Sequence, residues 1–207
     1  VDFLTSHPKD FDDRILSAMK ENPKIYRHFH LPIQSGDDEI LKQMNRGYNV
    51  ENYLSIIDKI RSTFEDVTLS TDLIVGFPGE TEEAFQNSLK IVRNIKFDMV
   101  FGAVYSPRPG TKAEKLTGRI PAIDTKRRLN ELLATQREIA NENNQKYIGK
   151  EKTLFISEIR EDNFYIGKTI EEKPILISSL KQLALGNEIR VKIKSFEKRS
   201  LVGEVIG

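Results

Sequence analysis

Cysteine is absent from this chain of 207 residues. That excludes disulfides, thiolate nucleophiles and every thiolate-ligated metal site within these residues. No apolar run approaches the ~20 residues that a membrane-spanning helix needs, and no membrane association is expected. The first residues are polar and strand-like, unlike a secretory leader, so the expected location is the cytoplasm. Val1 stands where an initiator Met would, which suggests a piece of a longer protein. Charge of one sign is not in excess either. The 32 Lys and Arg meet 31 Asp and Glu, for a net charge of +1, so any nucleic-acid surface must be a local patch. What is present is globular in kind: 38% hydrophobic and 30% charged residues, enough for one medium domain and a small one.

The most informative stretch is Asp72-Leu-Ile-Val-Gly-Phe-Pro-Gly-Glu80. Leu73, Ile74 and Val75 favour a strand, and Gly76 and Gly79 permit tight turns where a ligand can approach the backbone. Thr81 suits a helix N-cap, with apolar residues following at Phe85, Leu89 and Val92. A strand feeding a helix through such a turn builds ligand sites at the carboxyl ends of parallel strands. A bland strand–helix connection with packing glycines has the same local pattern.

Residues 1–105 repeat this order. Strand-like segments fall at Val1–Thr5, Phe29–Gln34, Val67–Phe77 and Asp98–Tyr105. Helical spacing is set by Phe11, Ile15 and Met19, by Ile40, Leu41 and Met44, by Tyr53 to Phe64, and over 81–94. Alternation of this kind predicts a parallel sheet. Four units are too few for a closed eight-stranded barrel, and cut strand edges would invite pairing or local disorder. Strand parity places His30, Pro32 and Gln34 on one face, and Ser70, Asp72, Ile74 and Gly76 on one face of the next strand. A polar face on a buried parallel sheet points to a ligand-filled interior; an open sheet with one wet face is the alternative.

Ser106-Pro-Arg-Pro-Gly-Thr111 is a loop that presents Arg108, because its prolines remove donors and fix φ. A long helix is expected from about Pro121 to Tyr147. Its Lys126, Arg127, Arg128 and Arg137 read as a solvated face. From Lys150 helical periodicity ends, and five strand-like runs (Thr153–Ser157, Phe164–Gly167, Pro174–Ser178, Glu188–Ser195, Leu201–Ile206) suggest a small OB-like barrel. In the fourth run Arg190, Lys192 and Lys194 share a face, with Lys198 and Arg199 beyond. From Lys150 onward eleven Lys and Arg meet nine Asp and Glu, so the cations are clustered, not in bulk excess. Such a row suits RNA phosphates; a lysine-guarded edge strand is the competing account.

Five ordered motifs carry a family resemblance: Ser6-His-Pro-Lys-Asp10, His30-Leu-Pro-Ile-Gln-Ser-Gly36, Met44-Asn-Arg46 with Tyr48, Asp72–Glu80, and Tyr105-Ser-Pro-Arg-Pro-Gly-Thr111. Together the chain resembles the radical S-adenosylmethionine methylthiotransferases of the MiaB type, over essentially its whole length. The resemblance implies an α/β fold: a partial (β/α) parallel barrel with a long terminal helix over 1–149, then a small OB-like antiparallel β-barrel, the TRAM domain, over 150–207. It also implies methylthiolation of N6-isopentenyladenosine beside the anticodon of tRNA. One S-adenosylmethionine supplies the methyl group and another yields the radical that abstracts hydrogen. The [4Fe-4S] clusters of that family are ligated by cysteines, here outside this chain, so the missing amino-terminal half is the first implied partner and tRNA the second. The chain alone is expected to be inactive.

The resemblance casts Gln34, Ser35, Asp72, Gly76 and Phe77 as cofactor-binding residues, with Arg46 at the barrel mouth. Arg108, Arg190, Lys192 and Lys194 are cast as RNA-binding. Arg46 and Arg108 each suit a carboxylate or a phosphate, and neither is decided. Glu80 suits a helix-orienting role as well as a site role. His30 reads as a satisfied buried histidine more readily than as a base. No catalytic residue is assigned, and no metal is expected on these residues. Two alternatives stay open: a sister enzyme acting on threonylcarbamoyladenosine in tRNA or on a ribosomal protein, and a non-catalytic RNA-binding module.

Overall fold

A computed structural model describes residues 7–197 and 200–206. The strand expected at Val1–Thr5, the motif residue Ser6, and Lys198 and Arg199 lie outside the described residues. The chain divides into two compact units. One holds residues 7–21 and 29–140; the other holds 22–28 and the residues from 141 onward.

The first unit is built on a three-stranded sheet in the order β1 (His28–His30), β2 (Thr68–Val75), β3 (Met99–Val104). β2 and β3 run parallel, in register from Ser70↔Met99 to Val75↔Val104. Around the sheet stand α1 (Asp13–Glu21), α2 (Asp38–Gln43), α3 (Val50–Thr63), α4 (Glu82–Ile95) and the start of α5 (Ala122–Gln145). The helix ends follow local chemistry. Asp37 accepts from the Glu39 and Ile40 amides, Asn49 and Asn52 form a reciprocal cap, and Thr81 accepts from Ala84 N–H.

β1 is shorter than the expected Phe29–Gln34, and Pro32 is the reason. It has no N–H to give to the ladder, so the Thr71 hydroxyl stands in. Thr71 Oγ1 donates to Leu31 O at 2.7 Å and accepts from Ile33 N at 2.9 Å. Pairing resumes for one residue at Gln34, which bridges Leu73 in parallel fashion. Over Asp72–Val75 the faces alternate: Leu73 and Val75 are fully buried, Asp72 and Ile74 half-buried. Phe29, Ile33, Tyr53, Phe85 and Leu89 complete a dry core around them.

The second unit contains a closed barrel in the order β4 (Glu151–Ile159), β5 (Phe164–Lys168), β6 (Pro174–Ser178), β8 (Ser200–Val205), β7 (Glu188–Glu197). Leu154, Ile156, Ile175, Ile177, Val191 and Ile193 fill it. Gly167 admits Leu154, since a Cβ there would lie 2.8 Å from the Leu154 Cβ. Two expectations are corrected. The barrel is not wholly antiparallel, because β6 and β8 pair in parallel. A closed ring of five strands cannot alternate direction at every step, so one parallel pair is required. Nor is β7 a guarded edge: it pairs with β4 and β8, and closure leaves no edge to guard.

Candidate functional site

The carboxyl ends of β2 and β3 open onto a cavity of about 760 Å³. Gln34, Asp72 and Phe77 line it together with Arg46 and Arg108. These come from four separate motifs, spread over 75 positions of sequence, and the fold brings all five together.

Gln34 is set there by an unusual backbone. Its φ of 70° is left-handed for a non-glycine residue, and two ladder bonds hold it: Gln34 N to Asp72 O and Ile74 N to Gln34 O, 2.9 Å each. Asp72 is positioned from behind. His30 Nε2 lies 3.4 Å from Asp72 Oδ1, and His30 Nδ1 lies 2.9 Å from Ser70 Oγ. With the imidazole proton on Nε2 toward Asp72, Nδ1 accepts from the Ser70 hydroxyl. The His30 ring also stands edge-on to Phe101, which lines the cavity. Tyr48 holds the backbone that leads into Gln34. Its hydroxyl reaches the Pro32 and Ile33 carbonyls at 3.0 Å each, and burial pushes its pKa up to about 12.

Two residues singled out in sequence are not in this lining. Ser35 is fully buried, and its hydroxyl accepts from Asp37 N–H at 3.3 Å. Gly76 turns away to a neighbouring cavity, with φ +76° and Thr125 against it. The remaining three, Arg190, Lys192 and Lys194, are exposed on β7 of the barrel. Arg190 pairs with Glu151 at 2.8 Å and Lys194 with Glu204 at 2.6 Å.

The Gly76–Glu80 turn is fixed by a pair that reading the sequence missed. Glu80, 1% exposed, accepts from Gly76 N–H at 2.7 Å through Oε2. Arg128 of α5, 5% exposed, donates to that same oxygen at 2.8 Å and to the Glu80 carbonyl at 2.9 Å. Burial pushes the Glu80 carboxyl above its ordinary value, while the Gly76 amide and Arg128 pull it down. Arg128 is therefore not part of a solvated face. It shares the buried stripe of α5 with Thr125, Leu132, Gln136 and Ile139, and its spacing from Leu132 was the available signal. Tyr105, inside a quoted motif but not singled out, also lines the cavity and meets Phe77 edge-to-face at 5.1 Å.

The radical SAM superfamily profile matches residues 2–92. This part of the chain belongs to the radical SAM superfamily. Among curated proteins, the chain is 38% identical over 207 residues to a tRNA-2-methylthio-N(6)-dimethylallyladenosine synthase of Natranaerobius thermophilus, covering 99% of the chain and 46% of the relative. It is 41% identical to the synthase of that name from Alkaliphilus oremlandii, covering 100% and 44%. The Bacillus subtilis protein of that name is 37% identical, covering 100% and 41%. Within the superfamily the similarity is thus to the MiaB-type enzymes, and the chain spans less than half the length of these relatives. Among solved structures it resembles coproporphyrinogen III oxidase of Escherichia coli, a radical SAM enzyme, with a TM-score of 0.56 over 92% of the chain and 45% of that protein at 14% identity. That likeness concerns the fold.

The donor set fits S-adenosylmethionine. The buried Arg46 Nε has no hydrogen-bond partner among the described residues, and a carboxylate, an amide and a second guanidinium share the cavity. An iron–sulfur cluster does not fit the residues present. Cysteine is absent, and among the described residues no three His, Asp or Glu converge.

Proposed function

We propose that this chain forms the cofactor pocket and the RNA-binding barrel of a cytoplasmic radical SAM tRNA methylthiotransferase, which converts N6-isopentenyladenosine beside the anticodon to its 2-methylthio form. The first unit is then the later part of a partial (β/α) barrel, and the second an OB-like TRAM domain. The cluster ligands lie in the remaining part of the protein, and the chain alone is inactive. The carrying observation is that Gln34, Arg46, Asp72, Phe77 and Arg108 line one cavity.

In this reading S-adenosylmethionine, when bound, supplies the methyl group and the means of activating the base. The chain's own residues bind and orient. Asp72 accepts hydrogen bonds from hydroxyls, held in place by His30. Arg46 offers a forked donor to a carboxylate. Phe77, braced by Tyr105, gives a flat apolar surface against which a purine ring packs. Arg108, exposed on the loop after β3, meets a phosphate of the incoming RNA. Phe77, Phe101 and Val104 add apolar surface beside the reacting centre.

The test is nucleoside analysis of tRNA from cells lacking the whole gene. Loss of the 2-methylthio group with accumulation of N6-isopentenyladenosine is expected. Reintroduction of the full gene should restore the modification, and the same gene carrying Asp72→Ala should restore little of it. An unchanged nucleoside profile overturns the proposal. Loss of a methylthio group from threonylcarbamoyladenosine instead assigns the sister reaction.

A further inference from the structure

A second cavity, of about 320 Å³, lies beside the first. Gly76, Tyr105, Pro107, Arg119, Thr125 and Lys126 line it. Tyr105 borders both cavities, and its edge-to-face contact with Phe77 is the partition between them. The Tyr105 hydroxyl is buried in that partition without a hydrogen-bond partner among the described residues.

The charge around this cavity is one-sided. Residues 106–126 carry five cations, Arg108, Lys112, Lys115, Arg119 and Lys126, against Glu114 and Asp124. Glu114 is engaged by the Gly110 amide at 2.8 Å. The ion pairs among the described residues include none of the five cations. β7 of the barrel is different, because two of its three cations are neutralised at 2.6–2.8 Å. An exposed cation already paired with a carboxylate releases few counterions when a phosphate arrives, whereas an unpaired one releases its full share.

From this we infer that the 106–126 segment, and not the β7 row, is the main phosphate-gripping surface of the chain. The second cavity seats one unpaired nucleotide of the RNA next to the base held in the first cavity. Arg119 and Lys126 contact its phosphates, the Tyr105 hydroxyl offers a hydrogen bond, and the base lies against Pro107 and the apolar wall. An occupant of this kind satisfies three features at once: unneutralised cations, an open, mainly apolar hollow at the small end for ligand cavities, and a polar group awaiting a partner. The inference rests on the RNA reading above and deepens it.

Fluorescence anisotropy with a labelled RNA hairpin carrying an adenosine-containing single-stranded loop tests it on this chain. Combined Arg119→Ala and Lys126→Ala should raise Kd about tenfold and reduce the slope of log Kd against log salt by about 1.4, the loss of two phosphate contacts on a single strand. Ala122→Trp keeps every charge but fills the cavity, and should raise Kd about tenfold with the salt slope unchanged. Alanine at Arg190, Lys192 and Lys194 together should change Kd less than the Arg119/Lys126 pair does. Native Kd and slope in the Arg119/Lys126 variant overturn the inference, and if the β7 variant loses binding instead, the RNA reading stands without it. Native affinity in Ala122→Trp overturns the seated nucleotide. No salt-dependent binding by the native chain overturns the RNA reading and this inference together.

Discussion

Replacing Arg128 by Met tests whether the turn under the cavity depends on the buried Glu80–Arg128 pair. The substitution keeps the length of the side chain and its packing over Phe85, whose ring lies 5.6 Å from the guanidinium carbon. It removes the donor to Glu80 Oε2 at 2.8 Å, the donor to the Glu80 carbonyl at 2.9 Å and a looser contact to Glu82 at 3.3 Å. Glu80, 1% exposed, is then left as a buried carboxylate without a counter-charge. Removing one partner from such a pair costs about 3–5 kcal/mol, a large share of a domain stability of about 5–15 kcal/mol. Urea titration followed by far-UV circular dichroism measures it, since the five helices supply that signal. Adding Glu80→Gln to Arg128→Met removes the stranded charge while its amide oxygen still accepts from Gly76. The double variant should therefore be less destabilised than the sum of the singles, by about 2 kcal/mol. The pH dependence has a definite sign. Burial already raises the Glu80 carboxyl above its ordinary 4.5, and loss of Arg128 raises it further. A folded-state value above the unfolded one gives stability that is present below the unfolded value and lost as pH rises through the folded one. The deficit of Arg128→Met should thus be small near about pH 4 and grow toward about pH 7. A deficit below about 1 kcal/mol at neutral pH, or one equal at both, refutes the reasoning.

Two further expectations concern the walls of the site. Gly76→Ala should destabilise the protein by about 2–4 kcal/mol, because φ is +76° and the new Cβ would lie 2.5 Å from Thr125 Cγ2; adding Thr125→Ala should recover part of that loss in the same titration, and no recovery would locate the strain in the backbone alone. Tyr48, with its pKa pushed up to about 12 from 10 by burial, gives stability that is present below the unfolded value and lost as pH rises toward the folded one. Discounted for its partial exposure, the loss is on the order of 1 kcal/mol. Thermal melts of the native chain and of Tyr48→Phe should converge between about pH 10 and about pH 12, and melts that stay parallel would show that the hydroxyl does not matter.

Most of the fold was legible because its periods are clean. Leu73 and Val75 alternate with Asp72 and Ile74, and the helix from Thr81 announces itself by cap and spacing. The expected runs Pro174–Ser178 and Phe164–Gly167 match β6 and β5 almost residue for residue. What escaped was set by chain closure or by single side chains. The parallel β6–β8 pair follows from the odd strand count of a closed ring, which no local pattern carries. The early end of β1 follows from Pro32, and its repair by the Thr71 hydroxyl needs the neighbouring strand to be in place.

The site was legible in its chemistry and not in its mechanics, and α5 explains why. Its buried residues from Thr125 to Ile139 are Thr125, Arg128, Leu132, Thr135, Gln136 and Ile139, and four of these six are polar. Arg128 holds Glu80, Gln136 donates to the Asp98 carbonyl at 3.0 Å and the Thr135 hydroxyl accepts from Arg93 at 3.3 Å, while Thr125 packs on the Gly76 turn with its hydroxyl donating to Pro121 O. Hydrophobic periodicity therefore undercounts this face, and the cations at 126–128 look alike in sequence although only one is buried. Gly102 is what lets the stripe in, since a Cβ there would lie 2.9 Å from Leu132 Cδ2. The helix thus acts as a polar strut behind the glycine turn, and the turn fixes Phe77 against Tyr105 at the boundary of the two cavities. Burying a guanidinium is costly unless its partners are fixed in advance. Here a carboxylate, an amide and a carbonyl are all in place around the turn, so the link between β2 and α4 is held rigid by polar contacts and not by apolar packing alone.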